Sequence, residues 1–358
     1  MAAGTEFTSA SMPGLPRASG SRFSRRLWSN LTWSGLLSMA VMPRHTSIAR
    51  PPHGMMDPSG TTVWSYDTQG RIIGKTQVVD GASLVTSYVY DGDGRLASLT
   101  YPSGEVINYS WSNGQLTGIF RGTSLIASGI TCHPFGPVKS WTLDNGQNIV
   151  RNFDLDGRIT SYSLGSLAYD AASRITGISR GGISILGNSK TYGYDATDRL
   201  ISFSDGTSAE TYAYDASGNR TGQTINGMAY TYSVSYASNR LDAMAGPGSS
   251  LHYSYDANGS LVNDGQRSFG YDASGRLSEA VGLASYSFNG LGQRVKKNAG
   301  TVIMFVFDEG GQLIGEYGAA GNPIQETVWL DDVPLAVLRY GTTYYIHTDH
   351  LNTPPADS

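Results

Sequence analysis

From Thr61 onward large and small residues alternate along the chain in short runs, and the runs end alike. Tyrosines two apart, as in Tyr88/Tyr90, Tyr192/Tyr194, Tyr212/Tyr214 and Tyr253/Tyr255, put both rings on one face of a strand. The second aromatic is followed by Asp, two small or polar residues, Gly, Arg and then Leu or Ile. An Asp in that place folds its carboxylate back on the amide two residues later, an Asx-turn that starts a reversal. Glycine supplies the positive φ that the turn needs. Arg and Leu open the return strand, one facing outward or pairing with a carboxylate, the other facing inward. Each copy therefore predicts one β-hairpin. A lone hairpin is marginal in water, so neighbours must pair edge to edge, which gives a long twisted sheet that coils or closes.

The copies read Tyr66-Asp67…Gly70-Arg71, Tyr90-Asp91…Gly94-Arg95, Phe153-Asp154…Gly157-Arg158, Tyr169-Asp170…Arg174 and Tyr194-Asp195…Arg199. They continue as Tyr214-Asp215…Gly218, Tyr255-Asp256…Gly259, Tyr271-Asp272…Gly275-Arg276 and Phe307-Asp308…Gly311. Degenerate copies lie at Trp111–Leu116, Tyr236–Leu241 and Phe288–Val295. Adjacent aspartates are 24 residues apart (67 to 91), then 16 (154 to 170), 25 (170 to 195), 20 (195 to 215) and 16 (256 to 272). Periods of this size mark a repeat architecture.

Composition narrows the class. Charged residues make up 15% of the 358-residue chain, against roughly 25% in an average globular protein. Glycine accounts for 45 positions, nearly double the usual share of about 7%. Long charged helices and coiled coils are excluded by this balance, and 11% aromatic residues argue against general disorder. Glycine lacks the period of three that collagen needs. A net charge of −4 has the wrong sign for a phosphate-binding surface, so nucleic acid is not an expected partner. The single cysteine, Cys132, precludes an intramolecular disulfide and a Cys-based zinc site. No run of 18 apolar residues exists, so no membrane span is expected.

Residues 1–57 differ from the rest. Arg17, Arg22, Arg25, Arg26, Arg44 and Arg50 occur with hardly an acidic group among them. Arg25-Arg26 precede a weakly apolar run from Leu27 to Val41, and Ser38-Met39-Ala40 would serve as a small-x-small cleavage site. The match to a signal peptide is poor. An unstructured leader, or a stretch read from the wrong frame or start, is the preferred reading.

The tandem motif resembles the YD repeat of the Rhs (rearrangement hotspot) family, which includes teneurins and the shell subunits of insecticidal toxin complexes. The run from Ile314 through Val333-Pro334-Leu335-Ala336 resembles the approach to the Rhs-associated core. Tyr344-Tyr345-Ile346-His347-Thr348-Asp349-His350-Leu351-Asn352-Thr353-Pro354 is similar to that core's signature, with Tyr345, His347, Asp349, His350 and Pro354 as its marked residues. The resemblance covers roughly residues 58–354. It implies an all-β fold in which tandem hairpin repeats form a spiral, shell-like sheet, here a partial shell. The division it implies is a leader at 1–57, repeats at 58–313 and the truncated start of the Rhs-associated core at 314–358. In bacterial members the shell encloses a toxic C-terminal effector until delivery. The expected partners are that effector or the remaining shell, with secretion-system or cell-surface components, in a secreted or surface-exposed bacterial protein. The family continues past Thr-Pro into Arg, further strands, an Asp-Pro autocleavage motif and a variable domain; this sequence ends in Pro355-Ala356-Asp357-Ser358. Asp57-Pro58-Ser59-Gly60 lies upstream of the repeats and is read as a turn.

Candidate chemistry is sparse. His347, Asp349 and His350 fall within four residues, but on a strand positions three apart point to opposite faces, and no third ligand cluster is visible. Asp91-Gly92-Asp93-Gly94 and Asp256-Ala257-Asn258-Gly259 lack the glutamate of a calcium loop, and an Asx-turn explains them. Adjacent strand residues such as Cys132 and His133 point apart, which argues against a thiol nucleophile and its base. The acidic residues are spent in turns, so no glycosidase pair is nominated. The dispersed arginines suit a structural ladder. Catalytic residues, metals and cofactors are therefore expected to be absent. The Tyr-rich faces leave two functions open: the inner lining of a shell holding a partly unfolded passenger, or a carbohydrate-binding surface on which sugars stack.

Overall fold

The computed structural model describes residues 53–134, 136–180 and 188–354, and every regular element among them is a β-strand. The arginine-rich leader up to residue 52, including Ser38-Met39-Ala40, and the last four residues lie outside the described residues. Strands pair antiparallel with their sequence neighbours, so the order within each sheet is the order of the chain. A first sheet of ten strands runs from Gly54–Asp57 to Asn148–Val150. A second, of eleven, runs from Asn152–Phe153 to Ser249–His252. A two-stranded sheet (Ser254–Tyr255 and Leu261–Asn263) leads to a fourth, of nine strands, from Phe269–Tyr271 to Thr342–Tyr345. The sequence boundary at residue 57 falls inside a strand pair, since Gly54–Asp57 is bonded to Gly60–Val63.

Local chemistry explains the meander. In Ala82–Tyr90, Leu84, Thr86 and Tyr88 are buried while Ser83, Val85 and Val89 are exposed, the period-two pattern of a sheet with one wet face. At one end of many hairpins stands the Asp motif. At the other stand two-residue turns such as Asp80-Gly81, with φ of 49° and 83°, a mirror-image turn whose twist matches that of the strands.

The first and fourth sheets share one apolar core. Val79, Leu84, Leu99, Ile107, Ile119, Ile126 and Leu143 from the first meet Met304, Val306, Ile314, Val328, Leu330 and Leu335 from the fourth. The second sheet has a smaller cluster of its own, Tyr162, Leu164, Leu167 and Ile178.

Candidate functional surface

The repeat is a closed hydrogen-bonded unit. In Tyr66–Arg71, Asp67 N–H donates to Arg71 O at 2.9 Å and Gly70 N–H to Asp67 O at 3.0 Å. Asp67 Oδ1 accepts from the amides of Gln69 and Arg71, both at 2.9 Å, and Oδ2 accepts from Arg71 Nε at 2.6 Å. Asp91, Asp154, Asp170, Asp195 and Asp272 hold their following arginines in the same way. These five carboxyls sit below the usual range, chiefly because the arginine amide donates to the charged form. At Asp215 the clamp is Asn219, whose Nδ2 reaches Oδ2 at 2.9 Å. Each unit also carries a bulge: Ser65 pairs with Gly74 but Tyr66 with Ile72, so Ile73 is an extra residue on the return strand.

Successive units interlock. Arg71 lies over the Tyr90 ring, and Tyr90 donates its hydroxyl to Ile72 O at 2.9 Å. Arg174 and Tyr194 repeat this with Ile175 O at 2.8 Å, and Arg199 and Tyr214 with Leu200 O at 2.7 Å. Tyr169, Tyr255 and Tyr271 make the same strut to Ile159 O, Leu241 O and Leu261 O. Trp111 and Trp329 substitute an indole N–H, to Leu96 O and Leu313 O. Where glycine is missing from the fourth turn position, a polar side chain reaches back a unit. Ser173 (φ 65°) accepts from Arg158 and Asp198 (φ 65°) from Arg174, each at 2.7 Å. Gly94, Gly218, Gly259 and Gly275 hold that position with glycine, and beside Gly259 Arg240 stacks on Tyr255.

Sequence reasoning missed further copies that lack the aspartate. Tyr101 N–H donates to Glu105 O and Gly104 N–H to Tyr101 O. Leu143–Gln147 and Gly318–Asn322 make the same pair of bonds, as does Asn289–Gln293 within the degenerate copy expected at Phe288–Val295. The legible signal was a glycine three residues after the turn's start. The signature run proves to be another copy. Asp349 Oδ1 accepts from the amides of Leu351 and Thr353, Asp349 N–H donates to Thr353 O, and Asn352 (φ 60°) takes the glycine's place. His347 and His350 therefore lie beyond the last strand, which ends at Tyr345; the strand argument about their directions does not apply. Tyr345 packs against the main core, and Pro354 is exposed. Among the described residues no three His, Cys, Asp or Glu side chains gather as a metal site. Arg95 bridges Asp91 and Asp93 at 2.8 and 2.6 Å. Cys132 ends a strand as an exposed residue whose thiol is nonetheless pushed up by partial desolvation, while His133 opens the next turn with its ring 4.4 Å from Phe153.

In the first and fourth sheets Tyr88, Tyr101 and Tyr317 are embedded among aliphatic side chains rather than facing open space. Their hydroxyls serve charged hubs between the two sheets. Glu309 accepts from Trp64 Nε1 at 2.9 Å and Tyr88 Oη at 3.4 Å and pairs with buried Lys75 at 3.1 Å; Lys75 also donates to Phe307 O. Glu326, 2% exposed, accepts from Tyr317 Oη and Ser103 Oγ, both at 2.7 Å, while Tyr101 donates to Thr327 O. Arg151, 4% exposed, donates to Asn352 Oδ1 at 2.5 Å and stacks on Trp141. Burial pushes the Asp308 and Glu326 carboxyls up. On the second sheet the tyrosines form a polar network of their own. Tyr212 Oη and Gln223 Nε2 donate to Glu210 Oε2 at 2.8 and 2.9 Å, and Tyr232 Oη donates to Gln223 Oε1 at 2.7 Å.

Interlocked Asp-turn hairpins with conserved geometry from one unit to the next define a repeat-shell protein. A family model described as the teneurin YD-shell matches residues 145–356, and an RHS-repeat model matches residues 74–106. The chain belongs to the teneurin YD-shell family. It is similar in fold to the TcdB2–TccC3–Cdc42 structure, with a TM-score of 0.50 and 14% identity over 83% of this chain. TcdB2–TccC3–TEV gives 0.48 and 13% over 84%, and the Tc holotoxin pore of Photorhabdus luminescens 0.45 and 14% over 80%. The chain spans about a fifth of the length of these structures' chains, at 20%, 21% and 20% respectively. Comparison with curated proteins returned no match.

Proposed function

We propose that this chain is a non-catalytic wall segment of an Rhs-type shell, which with the remaining shell encloses a C-terminal effector in a secreted or surface-exposed bacterial toxin. The supporting observation is the unit-to-unit interlock within a YD-shell family chain. Each arginine grips its own turn and the next aromatic, so the sheet behaves as a continuous wall rather than as separate hairpins. Within this proposal residues 1–57 are a leader, 58–313 the repeats and 314–358 the start of the Rhs-associated core. The motif residues are wall fittings and the partners are the effector, the rest of the shell and export components. No helix among the described residues is long and apolar enough to cross a membrane.

The glycan-binding alternative asks for free ring faces. Arginines cover the motif rings instead, as Arg199 does 4.9 Å above Tyr214 and Arg158 above Tyr169, and a covered face does not stack on a sugar. Sequencing the locus beyond codon 358 tests the proposal. More YD repeats, an Asp-Pro motif and a variable domain are expected, and the intact product should shield that domain from added protease. A variable domain digested as fast as its isolated form overturns the shell reading. Saturable sugar binding lost on Tyr→Ala at one or two sites would favour the alternative.

A further inference from the structure

A cavity of about 150 Å³ opens between the first and fourth sheets, and the wall architecture gives it no task. On its first-sheet side stand Ser103 and Glu105 of the Tyr101–Glu105 turn and Arg121, which ends the strand Gln115–Arg121. The fourth sheet supplies an apolar floor of Pro323, Ile324 and Leu338, and a lip formed by Arg339 and the Tyr340-Gly341 turn. The frame is braced. Arg121 Nε donates to Glu105 Oε2 at 2.8 Å, its Nη2 to Oε1, and its Nη1 to Gly341 O at 2.6 Å, which ties the turn of one sheet to the other.

The lip carries a residue that its backbone does not favour. Arg339 pairs with Thr342, so Tyr340-Gly341 is a two-residue hairpin turn, with φ of 51° and 78°. Asp80-Gly81, Asn113-Gly114 and Asn226-Gly227 make the same turn with φ of 49°, 50° and 49° at the first residue. Asp and Asn tolerate that left-handed conformation, whereas a bulky aromatic is strained in it. Among the described residues every other non-glycine with positive φ is Asp, Asn or Ser. Burial does not offset the strain, since Tyr340 is 80% exposed, and uncompensated strain of this kind points to function. Arg339 lies against the ring, its guanidinium 5.1 Å from the centroid, and among the described residues no carboxylate pairs with it.

What the cavity leaves unsatisfied is donors. Glu105 commits both oxygens to Arg121, and Glu326 accepts from Tyr317 Oη, Ser103 Oγ and the Ser103 amide. The N–H groups of Arg339 have no such acceptor. A ligand here must bring acceptors for them and an apolar body to cover the floor. Glu105 and Glu326 line the same space and repel a doubly charged anion. We propose that this cavity binds a small monocarboxylate of benzoate size, its two oxygens on the guanidinium edge of Arg339 and its body over Ile324 and Leu338 beside Tyr340. A planar two-oxygen acceptor matches the guanidinium fork, and a cavity of about 150 Å³ is large enough for a benzene ring.

The site does not depend on enclosure, so its failure and that of the shell reading are distinguishable. Equilibrium dialysis of the full chain against carbon-14 benzoate should show saturable uptake that sodium chloride at equal ionic strength does not displace. Benzamide, the neutral isostere, should compete about tenfold more weakly than unlabelled benzoate. Arg339→Gln should weaken benzoate by about tenfold, the loss of one charge-assisted pair, and Lys139→Gln, at an exposed position of the first sheet, should leave it unchanged. Tyr340→Asn should weaken benzoate while raising the melting temperature of the free chain, opposite movements that a purely structural tyrosine would not give. Absent or non-saturable uptake overturns the site. Benzamide competing as well as benzoate, or inorganic phosphate competing better, overturns the monocarboxylate assignment. Affinity that survives Arg339→Gln or Tyr340→Asn overturns the part given to that residue.

Discussion

A single aspartate carries much of each turn. Its carboxylate gathers two backbone amides and an arginine Nε, which no neutral side chain of that length does. Replacement of Asp195 by Ala should therefore frustrate the turn and free Arg199 from the Tyr214 ring, visible as lost protection of the Arg199 and Thr197 amides in hydrogen exchange. The strut is a separable contribution. Tyr194→Phe keeps the ring under Arg174 but removes the donor to Ile175 O. It should cost about 1 kcal/mol in denaturant unfolding, the usual net worth of one hydrogen bond. An unchanged midpoint would show that water replaces the hydroxyl at no cost.

At the scale of the hairpin, backbone conformation selects the residue. Gly157 has φ 77°, and a Cβ there would meet nothing within 4 Å. Gly157→Ala should therefore cost about 1 kcal/mol from backbone strain alone, and Gly157→Asn less, because Asn tolerates the left-handed region. Ser173 and Asp198 accept that strain in exchange for a bond to the previous unit's arginine. Ser173→Gly should relieve the strain and lose the Arg158 contact, leaving stability within a few tenths of a kcal/mol of the parent. The turns at Tyr101–Glu105 and Gly318–Asn322 show that this geometry belongs to the backbone and is only reinforced by Asp. Searching for Asp finds most units and misses these.

The pairing of the first sheet with the fourth sets the behaviour of the whole molecule toward acid. Asp308 and Glu326 have folded pKa values above the ordinary range because burial disfavours the charged form. Their burial cost is relieved as pH falls from neutral toward the unfolded carboxylate range near 4. His347 and His350 are held below their ordinary value by burial, so they withdraw stability as pH falls below about 6.5. The turn aspartates, with lowered values, withdraw theirs only below about 4. Glu326→Gln, which stays neutral, should lower the melting temperature less at pH 7 than at pH 5, when compared with the parent. Equal losses at both pH values would show that Glu326 takes up no extra proton on folding in this range, and so that burial does not raise its carboxyl. In the core between these sheets, Leu335→Ala, at a position 0% exposed, should cost about 2–5 kcal/mol. Val85→Ser on the wet face should change little.

The all-β class, the hairpin unit, the Asp-turn and the family were legible in the sequence because each rests on interactions within a few residues. Asp67 and Arg71, or Tyr88 and Tyr90, are close in the chain, so their spacing already fixes their geometry. The partners of the tyrosine faces were not legible. Glu309 meets Lys75, and Glu326 meets Ser103, across more than 200 positions, and no local periodicity encodes which of four sheets will cover which. The same limit applies to the Asp349 run. Its residue types read as a signature, but only the folded backbone makes Asn352 a stand-in for glycine and brings Arg151 onto it. Sequence decides the repeating unit because hydrogen bonds and φ angles act locally. Tertiary structure decides which faces become dry core and which stay polar, because burial depends on the sheet that arrives from elsewhere in the chain.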